Sequence, residues 1–409
     1  MARVLLLLPT KTYRAEALLR AALRMEVSLT VASEEPSTLM SANPSGLLTL
    51  DFKNLQQSAA VIADFHRRHP IDGIIPVDEE TAVVAATLAE AIGLPFNSVA
   101  SAMATRDKHR MRQLLLQGGV LTPEYSLYAI EQDPTTLTHQ VRYPCVIKPL
   151  VLSSSRGVIR ADNDAQFVAA FRRTSAILRA ADVTGCGQSG RQVLVETFIP
   201  GAEFAVEGLL ARGHLLLLAL FDKPDPLDGP FFEETLYVTP SRQPPIVQEQ
   251  IVDAVRQATI ALGLCEGPVH AEVRFNARGA WVIEVAARSI GGRCSAALRF
   301  GAGVSLEELV IRHAIGIPID SLERESPAAG VMMIPIPQAG LLREVRGLAE
   351  AKQVEGIEDI NITIPLGRTV IPLPEGASYL GFIFARRSTP DLVEAALRQA
   401  HRCLEFEIA

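Results

Sequence analysis

Gly267-Pro-Val-His270-Ala-Glu272-Val-Arg274-Phe-Asn276-Ala-Arg278-Gly279-Ala-Trp281-Val282-Ile-Glu284-Val-Ala286-Ala-Arg288 is the stretch of this 409-residue chain on which the reading of the fold turns. Two strand-like runs, Pro268–Phe275 and Trp281–Ala286, flank the turn-forming segment Asn276–Gly279, so a β-hairpin is expected. Alternation of side chains along a strand puts His270, Glu272 and Arg274 on one face. On the return strand it puts Val282, Glu284 and Ala286 on one face and Trp281, Ile283 and Val285 on the other. Carboxylates on paired strands can bridge one or two Mg²⁺ ions, which prefer oxygen ligands and keep waters. Arg288 follows Glu284, and Gly291-Gly292-Arg293 comes next. An arginine placed there can bind a carboxylate or steady charge on a transferring phosphoryl group.

Working back toward the N-terminus, further parts of the same chemistry appear in order. Lys108 sits near the start of a helix predicted over Asp107–Gln117, with Gly118-Gly119 as its C-cap. Lys148 lies on the apolar strand expected over Tyr143–Leu150, where a lysine is costly to bury unpaired. Such a lysine is well used when aimed at phosphate. The small-residue turn Ser153–Val158, with Ser154, Ser155 and Gly157, lets backbone N–H groups approach phosphate oxygens. Glu196 precedes Phe198-Ile199-Pro200-Gly201, and Glu203 follows with Glu207 on its face. Carboxylates entering strands can accept from ribose hydroxyls or an adenine amine. Phosphoryl transfer needs phosphate-binding cations, a metal held by carboxylates, and backbone donors.

The rest of the chain frames these residues. Val4–Leu8, Val27–Ala32 and Gly73–Val77 read as strands alternating with helices over Thr12–Met25, Asn54–His69 and Glu80–Ala91, which implies a parallel sheet. Gln192–Ile199, Glu203–Leu210 and Leu215–Phe221 read as successive antiparallel strands. Helices are expected over Ala165–Leu178, Ile246–Leu262 and Leu306–Ile315. After Pro318 a smaller α+β unit is expected, with strands over Gly330–Pro335, Ile360–Ile364 and Tyr379–Ala385 and a terminal helix over Pro390–Cys403. The formal charge of −7 lacks the basic footprint of a nucleic-acid binder. Five scattered cysteines without a Cys-x-x-Cys pair read as reduced thiols of a cytoplasmic protein. No stretch is long and apolar enough for a membrane span. Gly185-Cys-Gly-Gln-Ser-Gly190 matches the dinucleotide fingerprint, but it precedes a strand instead of linking a strand to a helix.

The ensemble resembles the ATP-grasp superfamily, and within it the carboxylate–amine ligases that include L-amino-acid ligases (dipeptide synthases). The likeness rests on Gly93-Leu-Pro, Arg106-Asp-Lys108, Val146-Ile-Lys148-Pro, Ser155-Arg-Gly-Val158, Val195 through Glu203, Gly267 through Glu272, and Ile283-Glu284-Val-Ala-Ala-Arg288. The segment from Asp222-Lys-Pro to Pro240 also resembles that subgroup. The resemblance implies an α/β and α+β multidomain fold. Residues 1–105 would form an α/β unit, 106–320 the ATP-grasp domain with a lid at about 123–195, and 321–409 a small α+β subdomain. The resemblance implies ATP and Mg²⁺, or Mn²⁺ in its place, a carboxylate and an amine as small-molecule substrates, with amino acids the expected class, and a homodimer. Lys108 and Lys148 would hold phosphates under the Ser153–Val158 loop, Glu196, Phe198 and Ile199 would meet adenine, and Glu203 the ribose. Glu272 and Glu284 would hold metal, and Arg288 would stabilise the acyl phosphate and the tetrahedral intermediate. Glu234, His270, Gly291, Gly292 and Arg293 would line the substrate site beside Arg288, with Glu234 anchoring an amine. Many ATP-grasp enzymes have asparagine where this chain has Ala286, which leaves the number of metal ions open. A relative activating bicarbonate or formate, or a catalytically silent nucleotide-binding protein, stand as alternatives.

Overall fold

The structure, a computed structural model, describes residues 1–409 except 10, 11, 13, 181, 182, 184–186 and 292. Gly292 and the Gly185-Cys186 start of the fingerprint-like segment lie outside the described residues. The chain begins with β1 (Arg3–Leu7), α1 (Ala15–Arg24), β2 (Ser28–Ser33), β3 (Leu47–Thr49), α2 (Leu55–Arg68), β4 (Gly73–Pro76) and α3 (Ala82–Ile92). Val4–Leu7 are fully buried, as a strand covered on both faces must be. The four strands form a parallel sheet in the order β3-β2-β1-β4. Asn54 caps α2 by accepting from the Gln57 N–H, and Gly93 ends α3 at φ 71°, a left-handed turn that suits glycine.

Two helices then follow head to tail, α4 (Val99–Arg106) and α5 (Lys108–Gln117). The first went unseen in the sequence because Val-Ala-Ser-Ala-Met-Ala-Thr-Arg carries no stripe of large apolar residues. Asp107 separates them, and its carboxylate accepts from the N–H groups of His109 (2.9 Å) and Arg110 (3.1 Å). That cap places Lys108 at the first position of α5.

The next unit holds β5 (Tyr125–Ala129), β6 (Cys145–Pro149), β7 (Ile159–Ala161), α6 (Asp164–Leu178) and β8 (Gln192–Thr197). Its sheet runs β5-β8-β6-β7, all antiparallel. This corrects one expectation, because β8 is not the first of three successive antiparallel strands. It pairs with β5 and β6, and the chain leaves this sheet at Pro200-Gly201 to enter another. Gly201 has φ 124°, and a Cβ there would be driven into the carbonyl oxygen of Phe275. The corner between the two sheets therefore needs a glycine.

The second large sheet takes β9 (Ala202–Ala211), β10 (His214–Lys223) and β11 (Leu236–Thr239), is backed by α7 (Pro245–Ala261), and adds the hairpin β12 (Gly267–Asn276) and β13 (Gly279–Ala286). After the short pair β14 (Arg299–Phe300) and β15 (Val304–Ser305) comes α8 (Leu306–Ala314). The chain ends with β16 (Ala328–Ile334), β17 (Gly340–Arg346), α9 (Leu348–Lys352), β18 (Ile357–Ile362), β19 (Thr369–Val370), β20 (Gly381–Arg387), α10 (Pro390–Cys403) and β21 (Glu405–Ile408). The eight-stranded order is β13-β12-β9-β10-β11-β16-β20-β18, so three C-terminal strands extend the central sheet across the β11–β16 pairing. A small sheet, β19-β17-β21, stands apart.

The hairpin carries a bulge. Glu272 pairs with Glu284, but Val273 pairs with Val282, leaving Ile283 as the extra residue. Strict alternation on β13 therefore fails at this point: Ile283 and Glu284 both line the cleft described below. Gly201→Ala is expected to lower stability by roughly 2 kcal/mol or more, because both the left-handed backbone and the space resist a methyl group. An unchanged urea midpoint would show that the corner tolerates a side chain.

Candidate active site

A cleft lies between the β5-β8-β6-β7 sheet and the eight-stranded one. Of the residues singled out in the sequence, its walls include Lys108, Lys148, Ser154, Ser155, Glu196, Phe198, Ile199, Glu203, Glu234, Glu272 and Glu284. Gly157, His270, Arg288, Gly291 and Arg293 stand outside that lining.

The lysines are buried and paired, as low-dielectric burial demands. Lys108 Nζ lies 3.1 Å from Glu284 Oε1 and donates to the carbonyl of Leu152 at 2.9 Å. Burial opposes its charge, yet Glu284 and Glu79 outweigh burial and raise its pKa. Lys148 Nζ is 2.8 Å from Glu196 Oε2. The other oxygen of Glu196 accepts from Arg112 Nε at 2.6 Å, and Arg112 Nη2 donates to the Ile283 carbonyl at 2.5 Å. One buried arginine thereby ties α5 to β8 and to the bulge of β13. Burial would raise Glu196, but Arg112 and Lys148 hold its carboxyl down to about 2.

A second charge cluster lies along β9, β10 and β12. Lys223 Nζ donates to Glu203 at 2.8 Å and to Glu234, and lies 3.3 Å from Glu272 Oε1. Glu203 also accepts from Arg274 Nε at 2.8 Å, and Tyr237 donates its hydroxyl to Glu234 at 2.7 Å. Oxygens of Glu203, Glu234 and Glu272 converge within 4.8 Å of one another. Burial raises Glu234, but Lys223 outweighs it and brings it to about 2. Glu272 is pushed well up, by burial and by the carboxylates of Glu234, Glu203 and Glu284, despite Lys223. A carboxylate held up by its like-charged neighbours is short of positive charge, so this donor set suits a divalent cation.

The turn Ser153–Val158 bends through left-handed residues: Ser154 (φ 55°), Ser155 (φ 54°) and Gly157 (φ 74°). Gly157 donates its N–H to Pro374 at 2.8 Å, so this amide is already engaged. The Phe198 ring is covered by the guanidinium groups of Arg160 (4.1 Å) and Arg274 (4.9 Å).

Arg288 follows β13, 3.6 Å from Glu79 and with Nη1 donating to the Ser289 carbonyl at 3.0 Å. His270 Nε2 lies 3.9 Å from Glu272 Oε1. Burial, with Arg288 and Lys223 nearby, holds its pKa well below the usual range, so the ring is neutral. The Gly291 carbonyl accepts from the Cys294 N–H, and Arg293 turns toward Glu16 of α1 at 3.6 Å. Sequence reasoning did not assign Lys223, Arg112 or Glu79. Lys223 had a signal, the Asp222-Lys-Pro segment. Arg112 had none, since Lys-His-Arg-Met-Arg reads as a solvated helix face.

A cleft between two sheets in which buried lysines and carboxylates pair is suited to binding a phosphorylated ligand, and comparison with known proteins agrees. Family models match in three places: an ATP-grasp N-terminal domain over 19–96, an ATP-grasp domain over 141–297 and an L-amino acid ligase C-terminal domain 2 over 332–409. The chain belongs to the ATP-grasp superfamily, among its carboxylate–amine ligases. Its likeness to L-amino acid ligases extends over the whole fold. The crystal structure of an L-amino acid ligase from Bacillus licheniformis matches with a TM-score of 0.82 and 25% identity, covering 100% of this chain and 99% of that one. The N5-carboxyaminoimidazole ribonucleotide synthetase of Thermotoga maritima shares the fold, with a TM-score of 0.69 and 14% identity over 100% of both chains. The alanine–anticapsin ligase of Bacillus subtilis is 26% identical over 254 residues, 59% of this chain and 53% of that protein. The chain thus aligns with about half the length of that relative. No helix among the described residues is long and apolar enough to cross a membrane.

Because the pKa of Glu196 is depressed on folding, its contribution to stability is fully present above the ordinary value of 4.5 and is lost as pH falls toward about 2. A carboxyl titration of Glu196 in the folded protein is expected to have its midpoint near 2. A midpoint at the ordinary value would show that its pairing with Arg112 and Lys148 does not hold in solution.

Proposed function

We propose that the protein is an ATP-dependent amino-acid ligase that activates a carboxylate as an acyl phosphate and couples it to an amine, releasing ADP and phosphate. The observation that carries this reading is the meeting of Lys108 and Lys148 with the cross-strand pair Glu272–Glu284 in one cleft, where Lys223 reaches Glu272 from behind at 3.3 Å. Phosphates would lie against Lys108 and Lys148 under the Ser153–Val158 turn. Adenine would lie along Phe198 and Ile199, with ribose at Glu203, whose carboxylate retains lone pairs beyond those used by Arg274 and Lys223. Glu196 has both oxygens occupied, and we read it as the anchor of Arg112 and Lys148 more than as an adenine contact. Glu272 and Glu284 would hold Mg²⁺, or Mn²⁺, which would neutralise phosphate charge. Ala286 offers no ligand, and its cross-strand partner is His270.

In the first step a substrate carboxylate oxygen attacks the γ-phosphorus and ADP leaves. Lys223 stands among the carboxylates where the transferred charge would be neutralised. In the second step the amine attacks the acyl carbon and phosphate leaves, with the Arg288 guanidinium beside the developing oxyanion. Glu234 would anchor the amine before attack. His270, Gly291 and Arg293 would border the substrates. The relatives support this reading, since they include an L-amino acid ligase and an alanine–anticapsin ligase.

Phosphate release from ATP, screened over pairs of amino acids, tests the proposal. Release that needs both a carboxylate and an amine donor is the expected result. Release with bicarbonate or formate alone would replace it with the carboxylase-like reading, and ATP binding without turnover would favour a silent nucleotide binder. Glu284→Gln removes a charge while keeping shape, and is expected to lower turnover by about 100-fold or more with the fold intact. Full activity in that variant would sink the metal assignment.

A further inference from the structure

Glu207 is a fully buried carboxylate for which the proposed reaction has no role. It lies on β9, where its neighbours Ala205, Val206, Leu209 and Leu210 form part of the apolar core. A purely structural need at such a place is met by an apolar side chain, without the cost of desolvating a charge. The carboxylate instead reaches two groups on other segments. Both of its oxygens accept from the Ile290 N–H, at 3.1 and 3.0 Å. Its Oε2 also lies 3.3 Å from Nδ1 of His270, its register partner on β12.

Ile290 stands two residues beyond Arg288, in the connection from β13 to the single turn Cys294–Ala297. This connection has its own grip on the N-terminal unit. The Ser289 carbonyl accepts from Arg14 Nη2 at 3.1 Å and from Arg288 Nη1 at 3.0 Å. Arg14 holds the connection from one side, and Glu207 holds it from the sheet. A backbone carrying Arg288 that moved by an ångström would displace the guanidinium by at least as much, and displacements of that size cost about 100-fold in rate.

We propose that Glu207 is a positioning residue, which pins the Arg288 segment to the central sheet through the Ile290 N–H and fixes the His270 ring beside it. The inference rests on the reading of Arg288 as the group that faces the acyl centre. Its action is geometric: it requires an acceptor at the end of an arm of this length, and not a charge.

Three variants separate these requirements. Glu207→Gln keeps the arm and an acceptor, Glu207→Asp keeps the carboxyl group and shortens the arm, and Glu207→Leu keeps the bulk alone. In the amino-acid pair assay, the leucine variant is expected to lose about 100-fold in kcat while its KM for ATP stays within about twofold. The aspartate variant falls between, and the glutamine variant retains about a fifth of kcat or more. Amide exchange over residues 288–294 is read in the same proteins, and exchange at Ile290 should accelerate in the leucine variant and stay slow with glutamine. A glutamine variant as poor as leucine would overturn the geometric role, as would an aspartate or leucine variant with full kcat. Loss of ATP binding together with the melting point in the leucine variant would show a general structural role instead. Should leucine prevent folding, the aspartate and glutamine variants decide the matter by the same criteria. Wild-type protein that turns over no pair would sink the ligase reading, whereas unchanged exchange at Ile290 in every folded variant would sink the clamp.

Discussion

The buried ion pair between Arg112 and Glu196 is the constraint on which the site depends. Both side chains are removed from water, and removing either partner would leave an uncompensated charge in a low-dielectric interior, at a cost of about 3–5 kcal/mol. Such pairs add little to net stability, because desolvation offsets most of the attraction. What this one adds is registration. Arg112 comes from α5, Glu196 from β8, and the second bond of Arg112 goes to Ile283 at the bulge. The helix that presents Lys108, the strand pair that presents Lys148 and the strand that presents Glu284 are thereby held in one relation.

The second cluster works on the opposite principle. Lys223 is a single ammonium among three carboxylates, Glu203, Glu234 and Glu272, and Arg274 meets part of the deficit at Glu203. The carboxyls part: Glu234, bonded by Lys223 and Tyr237, is driven down, while burial and the neighbouring carboxylates drive Glu272 up despite Lys223. A protein that needed only a stable core would have no reason to leave that surplus of negative charge. A cation entering the cluster would relieve it.

The parts of this design that were legible in the sequence are those written in local patterns. The parallel N-terminal strands show as apolar runs, the hairpin as two runs around Asn276–Gly279, and Lys148 as a charge on a buried strand. Illegible parts depend on pairing across the fold. Arg112 looks solvated in its own helix and is buried only because β8 and β13 come to it. The passage of the chain from β8 to the eight-stranded sheet depends on Pro200-Gly201, which a linear reading takes as an ordinary turn. The bulge that turns both Ile283 and Glu284 to the cleft leaves no mark, since a strand pattern assumes alternation. Helix α4 was missed because alanine favours helices without advertising a buried face.

The turn Ser153–Val158 shows how far local chemistry reaches once packing intervenes. Serine in the left-handed region costs about 1–2 kcal/mol relative to the right-handed one, and this turn holds two such residues in succession. Glycine would remove the strain but would also let the turn sample other shapes when no ligand is present. The serines narrow those choices, and the surroundings narrow them further. Gly157 is tied to Pro374, and its carbonyl accepts from Thr174 of α6 at 2.9 Å. Arg173 on the same helix forms a two-point pair with Glu375, next to Pro374. The turn is thus held between its own unit and the loop that joins β19 to β20, which lies in the part of the chain matched by the L-amino acid ligase C-terminal domain. Moving the turn away from that loop would cost the Gly157–Pro374 bond and the Arg173–Glu375 pair.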